Sequence, residues 1–343
     1  MAELAVTYGT PLFIYDQTVL ECKHQLLRKT LPPEFSISYS IKANPNLEIL
    51  KFFLLRGCGL EVASTGELQL AKAAGCPPEK IIFAGPGKTE AELETALQGQ
   101  IGELHAESLL EIQRIGRISR NLGLRARVAI RVNPGEEAEG GAMRMGGRAT
   151  PFGIDEEQLD KAIDAALSEA SIDFRGIHLF SGTQILDHVT LVRQYAKALE
   201  IAGRVVERLG HPLDTIDFGG GLGIPYFAGD QELDMDQLSV GIASLLKGSR
   251  DDARFNGTNL VVEPGRYLVG ESGVYVTRVN DVKTSRGKRF VVVDGGMNHH
   301  LAASGNLGQT IRRNFPVAIA NKLDSVDAEK VDVVGPLCTP LDV

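Results

Sequence analysis

Four stretches of the chain hold residue types that could do chemistry together. Lys42 stands in YSIKANPN, where an apolar run stops and Asn44 and Pro45 signal a turn. A lysine closing a buried strand is desolvated, which lowers its pKa, and such an amine can form a Schiff base with a carbonyl. Gly219, Gly220, Gly221 and Gly223 crowd DFGGGLGIPY. Backbone so free of side chains can approach a ligand closely and cradle an anion. Glu263 and Arg266 share VVEPGRYLVG. Arginine suits phosphate, and a buried glutamate suits a protonated pyridine nitrogen. VVGPLCTPLDV puts Cys338 four residues before Asp342 in a tight glycine–proline frame. Each stretch also has a plainer reading: a rim lysine in water, a simple turn, a Glu–Arg ion pair, a frayed end with an incidental cysteine.

The elements that would position these residues alternate along the chain. Strand-like runs at 36–41, 59–62, 81–84, 101–106, 127–132, 174–180, 215–219 and 260–265 are separated by helical stretches, one after each of the first seven. Strands joined through helices imply a parallel sheet, and eight such units at this length predict an α/β fold of the (β/α)8 barrel type. In that fold the chemistry sits at the C-terminal strand ends. Lys42 then ends strand one and Glu61 strand two. Arg131 and Asn133 end strand five. Strand six carries His178, Phe180, Ser181, Thr183 and Gln184, the glycine run follows strand seven, and Glu263 closes strand eight. A strand-one lysine, a strand-seven anion cradle and a strand-eight Glu–Arg pair together match the needs of pyridoxal 5'-phosphate.

After residue 265 the texture changes to alternating strands with a turn at Ser-Arg-Gly and no intervening helix. The expected organisation is a barrel over 17–265 and a β domain from 1–16 and 266–343. With 343 residues, 43% hydrophobic and 23% charged, the composition is that of a globular protein. A net charge of −8 and the lack of a Lys/Arg block argue against nucleic acid. The four cysteines show neither CxxC pairing nor zinc spacing, which predicts reduced thiols and no metal site. No leader pattern or apolar span of membrane length is present, so a soluble cytoplasmic protein is expected.

YSIKANPN, EVASTGEL, AGPGKTEAEL, RVNPG, GIHLFSGTQ, DFGGGLG, EPGRYLVG, VVVDGGMNHH and GPLCTPLD run in order over nearly the whole chain. As a set they resemble the fold-type III PLP-dependent decarboxylases, the group containing diaminopimelate, ornithine and arginine decarboxylases. The resemblance implies an α-decarboxylase with pyridoxal phosphate on Lys42 and Glu263 on its ring nitrogen. Gly220, Gly221, Arg266 and Thr183 would line the phosphate site, with Glu61 and Arg131 near the lysine and ring. Phe180 falls where the family usually has a ring-stacking histidine. The resemblance further implies a homodimer in which the GPLCTPLD loop completes a neighbour's site. Cys338 would return a proton after CO2 leaves, and Asp342 and Gln184 would contact substrate.

Two departures bear on substrate and length. The Arg-Pro-x-Leu-Tyr segment of diaminopimelate enzymes is absent after DGGM, although Arg312 and Arg313 lie nearby. The text AMRMGGRATPFGID, SGTQ and GGMNHHLAAS instead resembles family members that act on glutamate tethered to an acyl carrier protein in butirosin-type secondary metabolism. Members of the family also continue past the cysteine loop with further β-domain strands. Alternatives from the sequence are a diaminopimelate decarboxylase proper, an alanine-racemase-like enzyme sharing the barrel, and a non-catalytic PLP-binding protein.

Overall fold

The computed structural model describes residues 1–135, 143–144, 149–180, 182–250, 252–304, 315–324 and 329–343. It divides into two compact units. One comprises Leu20–Ile224 with Gln231–Glu271, the other Met1–Val19, Pro225–Asp230 and Ser272–Val343.

The larger unit is a closed barrel of eight parallel strands: β1 (Phe35–Ser40), β2 (Gly59–Val62), β3 (Ile81–Phe83), β4 (Glu103–Ala106), β5 (Ala126–Asn133), β6 (Ile172–Leu179), β7 (Thr215–Asp217) and β8 (Asn259–Val262). Each strand pairs in parallel with the next, and β8 pairs with β1 to close the ring. A helix follows each of the first seven strands, and only the single turn Arg266–Val269 follows β8. The helices begin on caps that satisfy their first N–H groups. Asn46, Ser64, Thr89, Ser108 and Asp187 each accept from the turn they precede, and Thr89 completes a reciprocal capping box with Glu92.

Strand parity decides which residues enter the barrel. On β1, Tyr39 faces outward and meets Phe53 of the helix Leu47–Leu54, ring centroids 4.6 Å apart. Successive side chains alternate across a strand, so Ser38 and Ser40 face inward. The same period sends Glu61, Glu103 with His105, Arg131 with Asn133, His178, Asp217 and Glu263 to the interior. These side chains are buried. The outward residues, such as Leu60, Leu104, Ile130 and Ile177, form the apolar layer under the helices and are fully buried. The helix Leu109–Leu122 shows the matching pattern, burying Ile112, Ile115, Gly116 and Ser119 on one stripe.

The smaller unit is β-rich. Leu12–Tyr15 pairs antiparallel with Gly273–Val276, so the N-terminal strand belongs with the C-terminal ones. Val279–Ser285 and Lys288–Val293 form an antiparallel hairpin. Arg286 and Gly287, with φ of 50° and 79°, make the turn between them, a backbone geometry whose twist suits a tight hairpin. Asp332–Val334 adds in parallel to Lys288–Val293. Among the described residues, no helix is long and apolar enough to cross a membrane.

Candidate active site

Lys42 sits in a single 3-10 turn, Ile41–Ala43, directly after β1. Its side chain is 60% exposed, and Nζ lies 3.3 Å from Glu61 Oε2. Glu61, at the end of β2, is buried and also accepts from the Ser40 hydroxyl. Burial pushes its carboxyl above the ordinary carboxylate range, against the pull of Lys42. Desolvation was expected to lower the Lys42 pKa. Burial does act in that direction, but the carboxylates of Glu61 and Glu263 outweigh it and hold the amine above its ordinary value. A neutral, nucleophilic lysine therefore requires the local negative charge to be compensated.

Glu263 follows β8 and is buried on the barrel axis. His178 Nε2 stands 3.4 Å from its Oε2. Burial raises the carboxyl, while His178, His105 and Lys42 pull it further down, and the net position is well below the usual carboxylate range. Oε1 is buried without a hydrogen-bond partner among the described residues. An orphaned buried acceptor of this kind costs about 1–3 kcal/mol unless something donates to it.

The glycine run packs against the neighbouring strand ends. A Cβ on Gly220 would stand 2.5 Å from the Glu263 carbonyl oxygen, and one on Gly221, with φ of 101°, 2.8 Å from that of Gly182. Only glycine fits both positions. The N–H groups of Gly220 and Gly221 donate to no acceptor among the described residues, which leaves two adjacent donors for an anion. Gly219 lies against Phe180, whose Cδ2 would be 3.0 Å from a Cβ there. Thr183 belongs to a two-residue strand with Gly182, and Arg266 opens the turn after β8. Ser181, Arg312 and Arg313 lie outside the described residues.

Gln184, expected on substrate, also has a task within the fold. Its amide Nε2 donates to the Ile224 carbonyl, and its Oε1 accepts from the Ile224 N–H at 3.2 Å. Both ends of the amide are spent holding the glycine loop. Asp342, also expected on substrate, is buried and accepts from the N–H groups of Met297 at 2.6 Å and Leu337 at 3.0 Å. Its carboxylate ties the terminal loop together, and it lies so close to Gly296 and Gly335 that neither could carry a Cβ. Cys338, on that loop, is exposed.

Several site-forming residues escaped the sequence reading. Arg131 donates to Glu107 at 2.9 Å, and Glu107 also accepts from the N–H groups of Gly85 and Gly153. Burial raises the Glu107 carboxyl, but Arg131 and Lys88 overcome this and leave it below its ordinary value. Lys88 is buried, donating to Glu111 at 2.6 Å and to the carbonyls of Gly85 and His105. Glu103 contacts His105 at 2.9 Å inside the barrel. The available signal was parity: Glu103 and His105 stand at i and i+2 in IGELHA, a polar pair on the inward face of an otherwise apolar strand.

These observations meet the needs of pyridoxal phosphate: an accessible amine, an orphaned carboxylate oxygen for the ring nitrogen, and unpaired N–H groups in a glycine cradle. Residues 17–270 match the family model described as pyridoxal-dependent decarboxylase, pyridoxal binding domain. Over 342 residues the chain is 39% identical to an L-glutamyl-(BtrI acyl-carrier protein) decarboxylase of Niallia circulans, covering 99% of this chain and 79% of that protein. It is 34% identical to the diaminopimelate decarboxylase of Aquifex aeolicus, covering 98% and 77%. The crystal structure of diaminopimelate decarboxylase from Helicobacter pylori complexed with L-lysine superposes with a TM-score of 0.85 at 31% identity, covering 99% of this chain and 82% of that one.

Proposed function

Since the chain belongs to the pyridoxal-dependent decarboxylase family, a group of carboxy-lyases, we propose that it decarboxylates an amino acid, glutamate foremost, tethered to an acyl carrier protein. The observation that carries the substrate reading is the 39% identity along 99% of the chain to a relative named for that reaction. The missing Arg-Pro-x-Leu-Tyr segment points the same way, because it removes a group suited to a second, free carboxylate. Secondary metabolism, a cytoplasmic location and a homodimer with shared sites belong to the same proposal.

In this reading the cofactor, when bound, supplies an electron sink for the pair left by the departing carboxylate. Lys42 provides the amine that anchors it. Glu263 would partner its ring nitrogen as an anion. Gly220, Gly221, Thr183 and Arg266 hold its phosphate, and Phe180 offers an aromatic face to the ring without a titratable group. Arg131, fixed by Glu107, lends a positive charge near the ring. The bond from the α-carbon to the carboxylate breaks and CO2 leaves. Cys338, supplied from a second copy of the chain, gives its S–H proton to the α-carbon and recovers one from solvent. Gln184 and Asp342 act as positioning residues for the glycine loop and the cysteine loop.

The test is a comparison of substrates on purified protein supplied with pyridoxal phosphate. Glutamyl carrier protein, free glutamate and diaminopimelate are each incubated, with CO2 and the mass of the product followed. Loss of CO2 from the tethered glutamyl group is expected. Turnover of diaminopimelate in preference to it would establish the second reading, which the 34% identity to the Aquifex aeolicus enzyme favours.

A further inference from the structure

The interior of a (β/α)8 barrel is ordinarily filled by layers of branched aliphatic side chains. Here β4, β6, β7 and the end of β8 send Glu103, His105, His178, Asp217 and Glu263 into it, all buried. They form a continuous column. Glu103 Oε1 lies 2.9 Å from His105 Nε2, and Asp217 Oδ2 stands 4.0 Å from the same nitrogen. The rings of His105 and His178 lie with centroids 4.4 Å apart and a 32° tilt. His178 Nε2 then stands 3.4 Å from Glu263 Oε2, an ion-pair distance without hydrogen-bond geometry. In strand register His178 is opposite Asp217 on one side and Arg131 on the other. The lower end of the column opens at Glu103 into a cavity of about 420 Å³ at the N-terminal face of the barrel, shared with Ser38 and Thr215.

Keeping such groups out of water costs free energy that an aliphatic layer would avoid. Asp217 also accepts from the Gly219 N–H at 2.7 Å at the start of the glycine run, and Glu263 helps hold up the Lys42 amine, but Glu103, His105 and His178 have no such contact among the described residues. Their common feature is the upper end: His178 and Asp217 both lie against Glu263, the carboxylate read as the partner of the ring nitrogen.

We propose that His178 is a positioning residue: braced by the ring of His105, which Glu103 holds in turn, it fixes one oxygen of Glu263 so that the other is left for the cofactor ring nitrogen. The proposal rests on the reading of Glu263 as the ring-nitrogen partner. A neutral imidazole suits the task for an electrostatic reason. It offers one N–H to orient the carboxylate without cancelling its charge, whereas an arginine or lysine in that place would neutralise the anion that must favour a protonated ring. Burial keeps His178 in that neutral form, drawing it down to about 4, with His105 adding to the effect and Glu263 opposing it. Without the imidazole, Glu263 would face Glu61 and Asp217 with His105 and Lys42 left to balance it.

The experiment is a visible-absorbance pH titration of the cofactor-loaded protein, run on Glu263→Gln, His178→Leu, His178→Gln and His105→Gln. Glu263→Gln is expected to move the spectral midpoint by at least about one pH unit, a tenfold change in the underlying equilibrium. His178→Leu should move it in the same direction, and His178→Gln, which keeps an N–H donor, should restore part of the shift. In the same variants kcat should fall while KM stays near the wild-type value. If His178→Leu lowers the melting temperature but leaves the midpoint in place, His178 is only a packed core residue and the proposal fails. If Glu263→Gln itself leaves the midpoint in place, the ring-partner reading fails and takes this proposal with it. Should His178→Leu not fold, His105→Gln decides: a smaller shift in the same direction supports the column, and none overturns it.

Discussion

At the barrel mouth, Lys42, Glu61 and Glu263 take their positions from strand ends, and burial among charged neighbours sets their ionisation. In the terminal loop, Cys338 is exposed, and its position comes from Asp342, which gathers the N–H groups of Met297 and Leu337 around one carboxylate. The barrel invests in a rigid scaffold, so a side chain there is placed by topology and its chemistry is tuned by its surroundings. The loop has no strand pairing at the cysteine, so one buried ion holds it in place and solvent reaches the thiol. A change in the barrel should therefore act on the cofactor, while a change in the loop should act on turnover with the cofactor still bound.

The largest test of that contrast is Lys42→Ala. It should abolish both the visible absorbance of the bound cofactor and decarboxylation, since Lys42 is the amine at the end of β1 beside Glu61. A borohydride-reducible adduct surviving in the variant would show that the anchoring amine is elsewhere. Next in size is Cys338→Ala. Cofactor absorbance should be unchanged, and turnover should fall by about 10²–10⁴-fold, the usual weight of a general acid. The proton could instead be delivered at the cofactor, yielding an aldehyde and progressive inactivation. Normal turnover to amine alone would remove Cys338 from the reaction.

The same contrast explains what could be read before the structure was known. In the barrel, the alternation of strand and helix put Lys42, Glu61, Arg131, Phe180 and Glu263 at or just after C-terminal strand ends, and the structure has Glu61, Arg131 and Glu263 buried there. Glu103 and His105 obey strand parity, a signal the sequence holds, but parity gives only an inward direction and not the partners that each side chain meets. Lys88 and Glu111 meet across 23 residues, a contact that periodicity does not encode. The Lys42 pKa was misjudged because burial is visible in a sequence, while the distance from Lys42 to Glu61 and Glu263 is a tertiary property. In the loop, no periodic pattern exists. Only the resemblance to a known family suggested roles for Cys338 and, as a substrate contact, for Asp342, and the engagement of the Asp342 carboxylate with backbone N–H groups carried no sequence signal.

Asp342→Ala should separate those two roles. Removing a buried acceptor of two backbone N–H groups leaves both donors unpaired, at a cost of about 3 kcal/mol to the folding of the smaller unit. Cofactor binding should stay unchanged. If Asp342 acts through the loop, kcat should fall together with the reactivity of Cys338 toward a thiol reagent. A raised KM with unaltered stability and thiol reactivity would return Asp342 to the substrate.

The smallest effect concerns acid stability, and it should appear in the barrel rather than in the terminal unit. His178 titrates at about 4 in the fold, against about 6.5 in an unfolded chain. Between those values the unfolded chain binds a proton that the folded one does not, so the contribution of His178 is complete above pH 6.5 and is lost as pH falls toward 4. Asp217 and Glu61 work the other way, because burial raises both carboxyls and the folded state holds protons that the unfolded state has released. The wild-type slope therefore mixes opposing terms, and the informative quantity is the difference between wild type and His178→Gln. Without His178 the barrel loses a term that favours higher pH. Glu263 also loses the neighbour that holds its carboxyl down and drifts upward, which adds to the change in the same sense. Urea unfolding at pH 7 and pH 5 should thus show a wild-type stability drop larger than that of the variant by about 2 kcal/mol, from a shift of roughly 1.5 pH units at 1.36 kcal/mol each. Equal drops in the two proteins would mean that His178 gains its proton in the fold as readily as in the unfolded chain. The charge balance drawn here around Glu263 would then be wrong, although the loop chemistry at Cys338 would stand.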